Sequence, residues 1–467
     1  MSSINREAVA ALRAETIDWR FKGMPAWAYG STVGDLSASG LDLFEGGFVG
    51  PLVVLDEPAL AHNIRVMSDW CASVGLALAP HGKTTMAPQL FQRQFEAGAW
   101  GLTTANISQL RVYRAFGVSR ILMANELVDP FALRWLSNEL ATDPSFEFTC
   151  WVDSVDGVAR MTEALERGAA PVSGPRADFD RISPAVEISQ GKTPDQSGIA
   201  RRGTRREGTV DVILELGGPD GRTGVRSLED AVEIAEAVRK SPVLRLVGAG
   251  GYEGALAHGT EDEELAKIDT YMSRLRELIT RLAGDGHFDG VAQVIATAGG
   301  SAYFDQVAEG LAGPWPDGLP VLGVLRSGSY LIHDDGLYRR MSPFSRKHRL
   351  PGGEPFQPAM HAWSQVTSHP EEGLALLTMG RRDVSYDQEL PEPQQVRHLD
   401  GSIEDLRGAS VSALNDQHAY LRLGAQQVEV GEWVRSGLSH PCTVFDKWQL
   451  LPVVDGTRVV DLVRTFF

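Results

Sequence analysis

Between Ala77 and Arg326 the chain repeats one pattern: a short apolar segment rich in β-branched residues, then a stretch with apolar residues at three-to-four spacing. A segment buried on both faces needs a covering helix before the next strand can lie beside it, so this alternation marks βα units around a parallel sheet. Eight segments fit, at residues 77–80, 101–104, 121–124, 148–152, 212–216, 246–252, 294–297 and 321–326. Eight units over about 250 residues predict an α/β fold, a (β/α)8 TIM-type barrel. Helical spacing covers residues 88–97, 154–167, 227–240 and 261–282 between them. Residues 52–55, with the helix from Pro58, read as leading into the barrel.

Two regions break the rhythm. Residues 169–208 are crowded with Gly, Pro, Ser and Arg and lack sustained periodicity, so they read as a long insertion. From about His333 the helix signal weakens, and short alternating segments at 374–379, 428–434 and 459–463 predict a second, β-rich domain. The predicted division is an N-terminal segment 1–45 packing with the β domain, a barrel over 46–335 and a C-terminal domain over 336–467.

Composition excludes several roles. The chain has 467 residues, and 61 acidic against 44 basic residues give a net charge of -17, which opposes approach to phosphate backbones and anionic membranes. No nucleic-acid or membrane partner is expected. The first twenty residues lack the apolar run of a signal peptide and no later run would span a bilayer, so the expected compartment is the cytoplasm. Three cysteines, Cys71, Cys150 and Cys442, are too few for a disulfide framework and read as free thiols or metal ligands.

Three constellations carry chemistry. Lys83, in Ala79-Pro80-His81-Gly82-Lys83-Thr84-Thr85, follows the first barrel strand and falls at the end where such barrels do chemistry. An enclosed lysine loses hydration that favours its charged form, and the neutral amine is the form that attacks an aldehyde. A surface lysine after a buried strand is the alternative. Gly299-Gly300-Ser301 after the seventh strand reads as a phosphate loop, because glycines let N–H groups approach an anion closely, or as an ordinary turn. The eighth strand is likewise followed by Gly328-Ser329-Tyr330. Near the C-terminus, His440 and Cys442 are two apart, so in an extended segment both face one side and suit Zn²⁺. A buried thiol beside a capping histidine is the other reading. Arg222, in the loop after the fifth strand, either binds a phenolate or carboxylate or anchors its own loop. Tyr252 either packs on a cofactor or fills the barrel.

In this order the segments resemble the pyridoxal-phosphate enzymes of the alanine racemase fold (fold type III), and among them the D-serine dehydratase and D-threonine aldolase branch. Pro80-His81-Gly82-Lys83-Thr84 looks like the branch's cofactor-lysine motif, Arg222-Thr223-Gly224-Val225 like its Arg-x-Gly turn and Tyr252-Glu253-Gly254 like its sixth-strand motif. Gly299-Gly300-Ser301 falls where the family grips phosphate, and Gly328-Ser329-Tyr330 where it passes the cofactor ring. Asn415-Asp416-Gln417-His418 and Ser439-His440-Pro441-Cys442-Thr443 look like its paired closing motifs. Ala79 and Thr85-Met86 depart from the Arg and His-Lys that often flank the lysine motif.

The resemblance implies pyridoxal 5'-phosphate on Lys83, a divalent metal, zinc or another, on His440 and Cys442, and a homodimer. Arg222 would tune the cofactor phenolate, and His81 would orient its neighbours. His-x-Cys accompanies the zinc-dependent dehydratases and His-x-Asp the aldolases, so the implied activity is conversion of a D-β-hydroxy amino acid, such as D-serine or D-threonine, to a 2-oxo acid and ammonia. Retro-aldol cleavage to glycine and an aldehyde is the alternative enzyme. A non-catalytic pyridoxal-phosphate-binding protein is the alternative of another class.

Overall fold

The computed structural model describes residues 3–167, 209–219, 221–316, 318–344, 350 and 354–467; the insertion expected at 169–208 lies outside them. The first strand, β1 (Leu52–Asp56), is followed by the helix Glu57–Ser73 and then by eight parallel strands. These are β2 (Ala77–Leu78), β3 (Leu102–Thr104), β4 (Arg120–Glu126), β5 (Glu147–Val152), β6 (Val210–Leu216), β7 (Leu244–Gly251), β8 (Val294–Ala298) and β9 (Val321–Leu325). They hydrogen-bond in the order β2-β9-β8-β7-β6-β5-β4-β3. The ring closes just beyond β2, where the N–H groups of Trp100 and Thr103 reach the carbonyls of Leu78 and Pro80 at 2.7 and 2.8 Å. The predicted barrel is thus present.

Side chains fill its interior. Ala79, Leu122, Trp151, Ile213, Val247, Ile295 and Val324 form a separate buried cluster inside the ring, so the barrel is a packed core with an open mouth. Outside, the helix Asp262–Gly284 buries Leu265, Ile268, Met272, Leu275, Ile279 and Leu282, the stripe that its three-to-four spacing predicts. Helix starts are set by short polar side chains: Ser154 and Ser227 accept from the N–H groups of Gly157 and Asp230, at the head of Val155–Glu166 and Leu228–Lys240. Such caps contribute about 1 kcal/mol each.

The C-terminal part holds β10 (Met360–Glu371), β11 (Leu374–Leu377), β12 (Glu392–Arg397), β13 (Ile403–Asp405), β14 (Ser410–Leu414), β15 (Ala419–Arg422), β16 (Trp433–Gly437), β17 (Leu450–Asp455) and β18 (Arg458–Arg464). Two expectations need correction. Residues 52–55 do not open the barrel: β1 lies antiparallel to β10, with Leu52 opposite Trp363, and parallel to β17, with Leu55 opposite Val453. A strand buried on both faces needs two neighbours, and the barrel already closes on its own eight. The segment 428–434 is mostly a turn, closed by Glu432, whose carboxylate takes the Glu429 N–H, and its strand begins only at Trp433.

The N-terminal segment divides its packing. Ile4 and Val9 join the main core, with the Asn5 N–H bonded to the Phe116 carbonyl at 2.8 Å. Ile17, Phe21, Val33, Leu36 and Leu43 instead pack on Trp363, Trp433 and Leu450 of the β sheet. The β domain therefore sits beside the barrel mouth, joined to it by an N–H bond from Asp335 to the Leu438 carbonyl. Among the described residues no helix is long and apolar enough to cross a membrane.

Candidate active site

Pro80 lacks an N–H for the ladder, and the chain after β2 folds into the short 3-10 turn Gly82–Thr84, which carries Lys83. With Thr84 and Thr85 buried beside it, the amine is held at the C-terminal end of the strand. It opens onto a cavity of about 390 Å³, within the range of about 300–1,000 Å³ usual for small-molecule sites. His81, Arg222, Tyr252, Gly299, Gly300 and Ser301 line the same cavity, and so do Gly328, Ser329, His440 and Cys442. Residues spread over the whole chain thus meet at one barrel mouth. Lys83 and Tyr252 keep accessible area, which opens onto this cavity, but protein encloses them on their other sides.

The wall is electropositive. Enclosure lowers the pKa of Lys83 below the ordinary lysine value; the neighbouring Cys442 opposes the shift, and Arg222 and Arg326 add to it. Burial, then the charges of Lys83, Arg326 and Arg222, hold His81 well below the usual imidazole value, so its ring is neutral. Arg326, 3% exposed, donates to the Gly251 carbonyl and stacks 4.9 Å from the centre of the Trp151 ring, yet its Nη1 has no partner. The guanidinium of Arg222 lies 5.4 Å from the centre of the Tyr252 ring. A buried guanidinium nitrogen without a partner is costly until an anion meets it.

Pyridoxal phosphate fits this lining: an amine with a depressed pKa, unpartnered cationic nitrogen and aromatic walls share one cavity of suitable size. The phosphate loop needs correction in detail. The N–H groups of Gly299 and Gly300 already donate to the buried carboxylate of Glu253, at 2.9 and 2.7 Å, so neither is free for phosphate. Gly299, at φ +113°, has no room for a side chain, since a Cβ would meet Leu325 at 2.4 Å. The Ser301 hydroxyl accepts from the Ser329 N–H at 3.1 Å and keeps its own proton to donate.

Tyr330 also departs from expectation. The 3-10 turn Ser329–Leu331 rotates its side chain away from Ser329, its hydroxyl accepts from Gln94 at 3.1 Å, and its ring packs on Phe356, so it does not line the cavity. Tyr338 lines the cavity instead. The 415–418 motif forms the turn between β14 and β15, away from the cavity lining.

The histidine and thiol are held by residues that their own motif does not reveal. Asp334 accepts the N–H groups of Gly336, Tyr338 and His440 at 3.0, 2.8 and 2.8 Å, which steadies His440 at φ +60°. Asp387 bonds His440 Nδ1 and, through its other oxygen, Thr443 Oγ1 at 2.8 Å. Contact with Cys442 raises His440 to about 9, against burial and with help from Asp387. Burial alone would raise the Cys442 thiol, but His440, Thr84 and Lys83 outweigh it and bring it below the usual cysteine value. Thr84 Oγ1 lies 3.3 Å from its sulfur. Imidazole and a thiolate-like sulfur make a soft donor pair that fits Zn²⁺. Arg326 was within reach of the sequence, at the end of the eighth predicted strand; Asp387, 53 residues before His440, carries no motif.

Residues 359–454 match the family described as "Putative serine dehydratase domain". Over 344 residues, 73% of this chain and 74% of the relative, the sequence is 24% identical to 3-hydroxy-D-aspartate aldolase of Paracoccus denitrificans (strain Pd 1222). Over 415 residues, 88% and 90% respectively, it is 24% identical to D-threonine aldolase of Arthrobacter sp. The fold superposes on D-threonine aldolase from Filomicrobium marinum with a TM-score of 0.69 and 22% identity, over 90% of this chain and 95% of that one. For a cysteine-to-alanine mutant of D-threo-3-hydroxyaspartate dehydratase in the metal-free form the TM-score is 0.63 at 18% identity, over 90% and 98%. Alanine racemase-like structures share the same architecture, so the predicted barrel with a β-rich second domain is the fold of this chain.

Proposed function

We propose that this alanine racemase-fold protein is a pyridoxal-phosphate- and metal-dependent lyase acting on a D-β-hydroxy amino acid, and that it eliminates water to give a 2-oxo acid and ammonia. The observation that carries the reading is the meeting of Lys83, the Arg326 nitrogen and the His440–Cys442 pair on one cavity wall. When bound there, pyridoxal phosphate supplies an electrophilic aldehyde and a ring that stabilises negative charge at Cα, while zinc supplies a Lewis acid for the departing hydroxyl.

The chain's own residues do the rest. Lys83, with its depressed pKa, offers a larger neutral fraction than a surface lysine and takes the Cα proton. Asp387 on Nδ1 leaves Nε2 of His440 available, so His440 and Cys442 would hold the metal at the cavity wall. Ser301 donates to phosphate, with Gly328 and Ser329 shaping the wall beside it. Arg222 and Arg326 supply the cationic partners for the cofactor's anionic oxygens and the substrate carboxylate, and Tyr252 and Trp151 flank them. Neutral His81 orients Lys83 without competing for its proton. The homodimer belongs to the same proposal.

By the resemblance, which pairs His-x-Cys with the zinc-dependent dehydratases, Cys442 favours elimination, and thiolate suits Zn²⁺ better than the harder ions. Retro-aldol cleavage stands as the second reading because the two curated relatives are named aldolases. The deciding experiment incubates metal-loaded protein with D- and L-β-hydroxy amino acids and assays ammonia, aldehyde and enantiomer together. Ammonia with a 2-oxo acid from D-substrates is expected. Glycine with an aldehyde would select the aldolase; bound cofactor without metal or turnover would leave a cofactor-binding protein.

A further inference from the structure

At the same barrel mouth, on the side of β4 to β6, three carboxylates converge. Glu126 ends β4, Asp153 follows β5, and Glu215 precedes the last residue of β6; one oxygen of each lies within 4.8 Å of the others. Parallel register brings them together, with Glu126 opposite Trp151 and Val152 opposite Leu214 on adjoining strands. Glu215 is 3% exposed, and its Oε2, like Oε1 of Glu126, is buried without a hydrogen-bond partner. Asp153 accepts the Gly224 N–H at 3.2 Å, which leaves it capacity for more.

The opposite ends of these strands show how the fold treats acids it means to neutralise. There Glu147 pairs with Arg120 and Asp211 with Arg245, each at 2.8 Å. Among the described residues, no such pairing serves Glu126, Asp153 or Glu215. Burial, then Glu215 and Asp153, push Glu126 up to about 8, the expected response of buried acids crowded together; the buried Arg326 acts on Glu215 through its charge but forms no ion pair with it among the described residues.

We propose that Glu126, Asp153 and Glu215 form a second metal site, for a hard divalent cation, separate from the soft pair at His440 and Cys442. An all-oxygen donor set suits Ca²⁺, Mg²⁺ or Mn²⁺ rather than zinc. Oxygens bound to one Ca²⁺ lie at most about 4.6–5.2 Å apart, so three oxygens within 4.8 Å of one another are close enough to share one such ion. Glu126 and Asp153 are half-buried, which admits water to the remaining positions. The ion ties β4, β5 and β6 together directly behind Asn125 and Trp151, both on the cofactor cavity wall. The site stands whichever reaction the cavity performs.

The test uses the full chain carrying His440→Ala and Cys442→Ala, stripped with EDTA and titrated separately with Ca²⁺, Mn²⁺ and Mg²⁺ by calorimetry and thermal unfolding. One equivalent of at least one ion is expected to bind and raise the melting temperature. Adding Glu215→Gln is expected to weaken binding by at least about tenfold, with circular dichroism showing the fold intact. Glu126→Gln and Asp153→Asn, at half-buried positions, give the same readout should Glu215→Gln misfold. Absence of binding by all three ions at millimolar concentration overturns the proposal and leaves Glu126 and Glu215 sharing a proton. Binding that survives all three substitutions overturns it equally.

Discussion

The two sides of the barrel mouth use one physical device with opposite signs. On one side, His81 and Lys83 after β2 and Arg326 after β9 line a cavity with Arg222 from the loop after β6, and enclosure, opposed by Cys442 and reinforced by Arg222 and Arg326, favours proton loss from Lys83. On the β4 to β6 side, Glu126, Asp153 and Glu215 are crowded, and burial, then the charges of Glu215 and Asp153, favours proton gain by Glu126. Each arrangement is costly as it stands and is relieved by a ligand of the other sign. On the two proposals above, the mouth is organised by what it binds, anion at the cationic groups and cation at the acidic ones.

The largest expected effect tests the cationic flank. Lys83→Ala should lower turnover of the best D-β-hydroxy amino acid by about 10³-fold or more, since it removes both the attachment point and the proton acceptor; a loss below tenfold would break the assignment. Cys442→Ala comes next, with loss of bound zinc by elemental analysis and about a 10²-fold fall in kcat, zinc addition restoring little. Asp387→Asn removes the carboxylate charge beside His440 Nδ1 and Thr443 but leaves the two metal-binding side chains, so zinc affinity should drop about 10–100-fold while excess zinc restores turnover, a recovery that Cys442→Ala lacks.

The acidic flank should respond in stability. In metal-stripped protein, Glu126 holds a proton in the folded state that the unfolded chain releases at ordinary carboxylate pH, because its pKa is raised to about 8. Its favourable state is therefore fully present below the unfolded value, and stability falls as pH rises towards about 8. Glu126→Gln should flatten that fall, by on the order of 2 kcal/mol once screening at its open side is allowed for, in urea unfolding at mildly acidic and alkaline pH. An unchanged pH dependence would show that the two flanks are not equivalent. The smallest effect belongs to Tyr330→Phe: it loses the Gln94 hydrogen bond, worth about 1 kcal/mol, and leaves kcat within about twofold.

Most of the barrel was legible because strand and helix periods alternate, each strand from β2 to β8 being followed by a helix before the next strand. β1 was not, since Leu52–Asp56 reads the same whether it enters a barrel or a sandwiching sheet. Lys83, Arg222, His440 and Cys442 could be named from local motifs. Tyr330 misled because adjacency in sequence does not survive a 3-10 turn, which sends neighbouring side chains in different directions. Gly299 and Gly300 misled because two glycines announce an exposed pair of N–H groups but not the carboxylate of Glu253 that takes them.

The order of residue types by itself determined the succession of strands and helices, the β-rich second domain and the residue types able to bind an aldehyde or a soft metal, because these depend on short-range periodicity and on intrinsic chemistry. Tertiary structure alone decided which groups meet: Thr84 with Cys442, 358 residues apart, Asp387 with His440, and Glu126 with Asp153 and Glu215. Proton affinities follow from those meetings, since burial and neighbouring charge act through space and are invisible to a linear spacing.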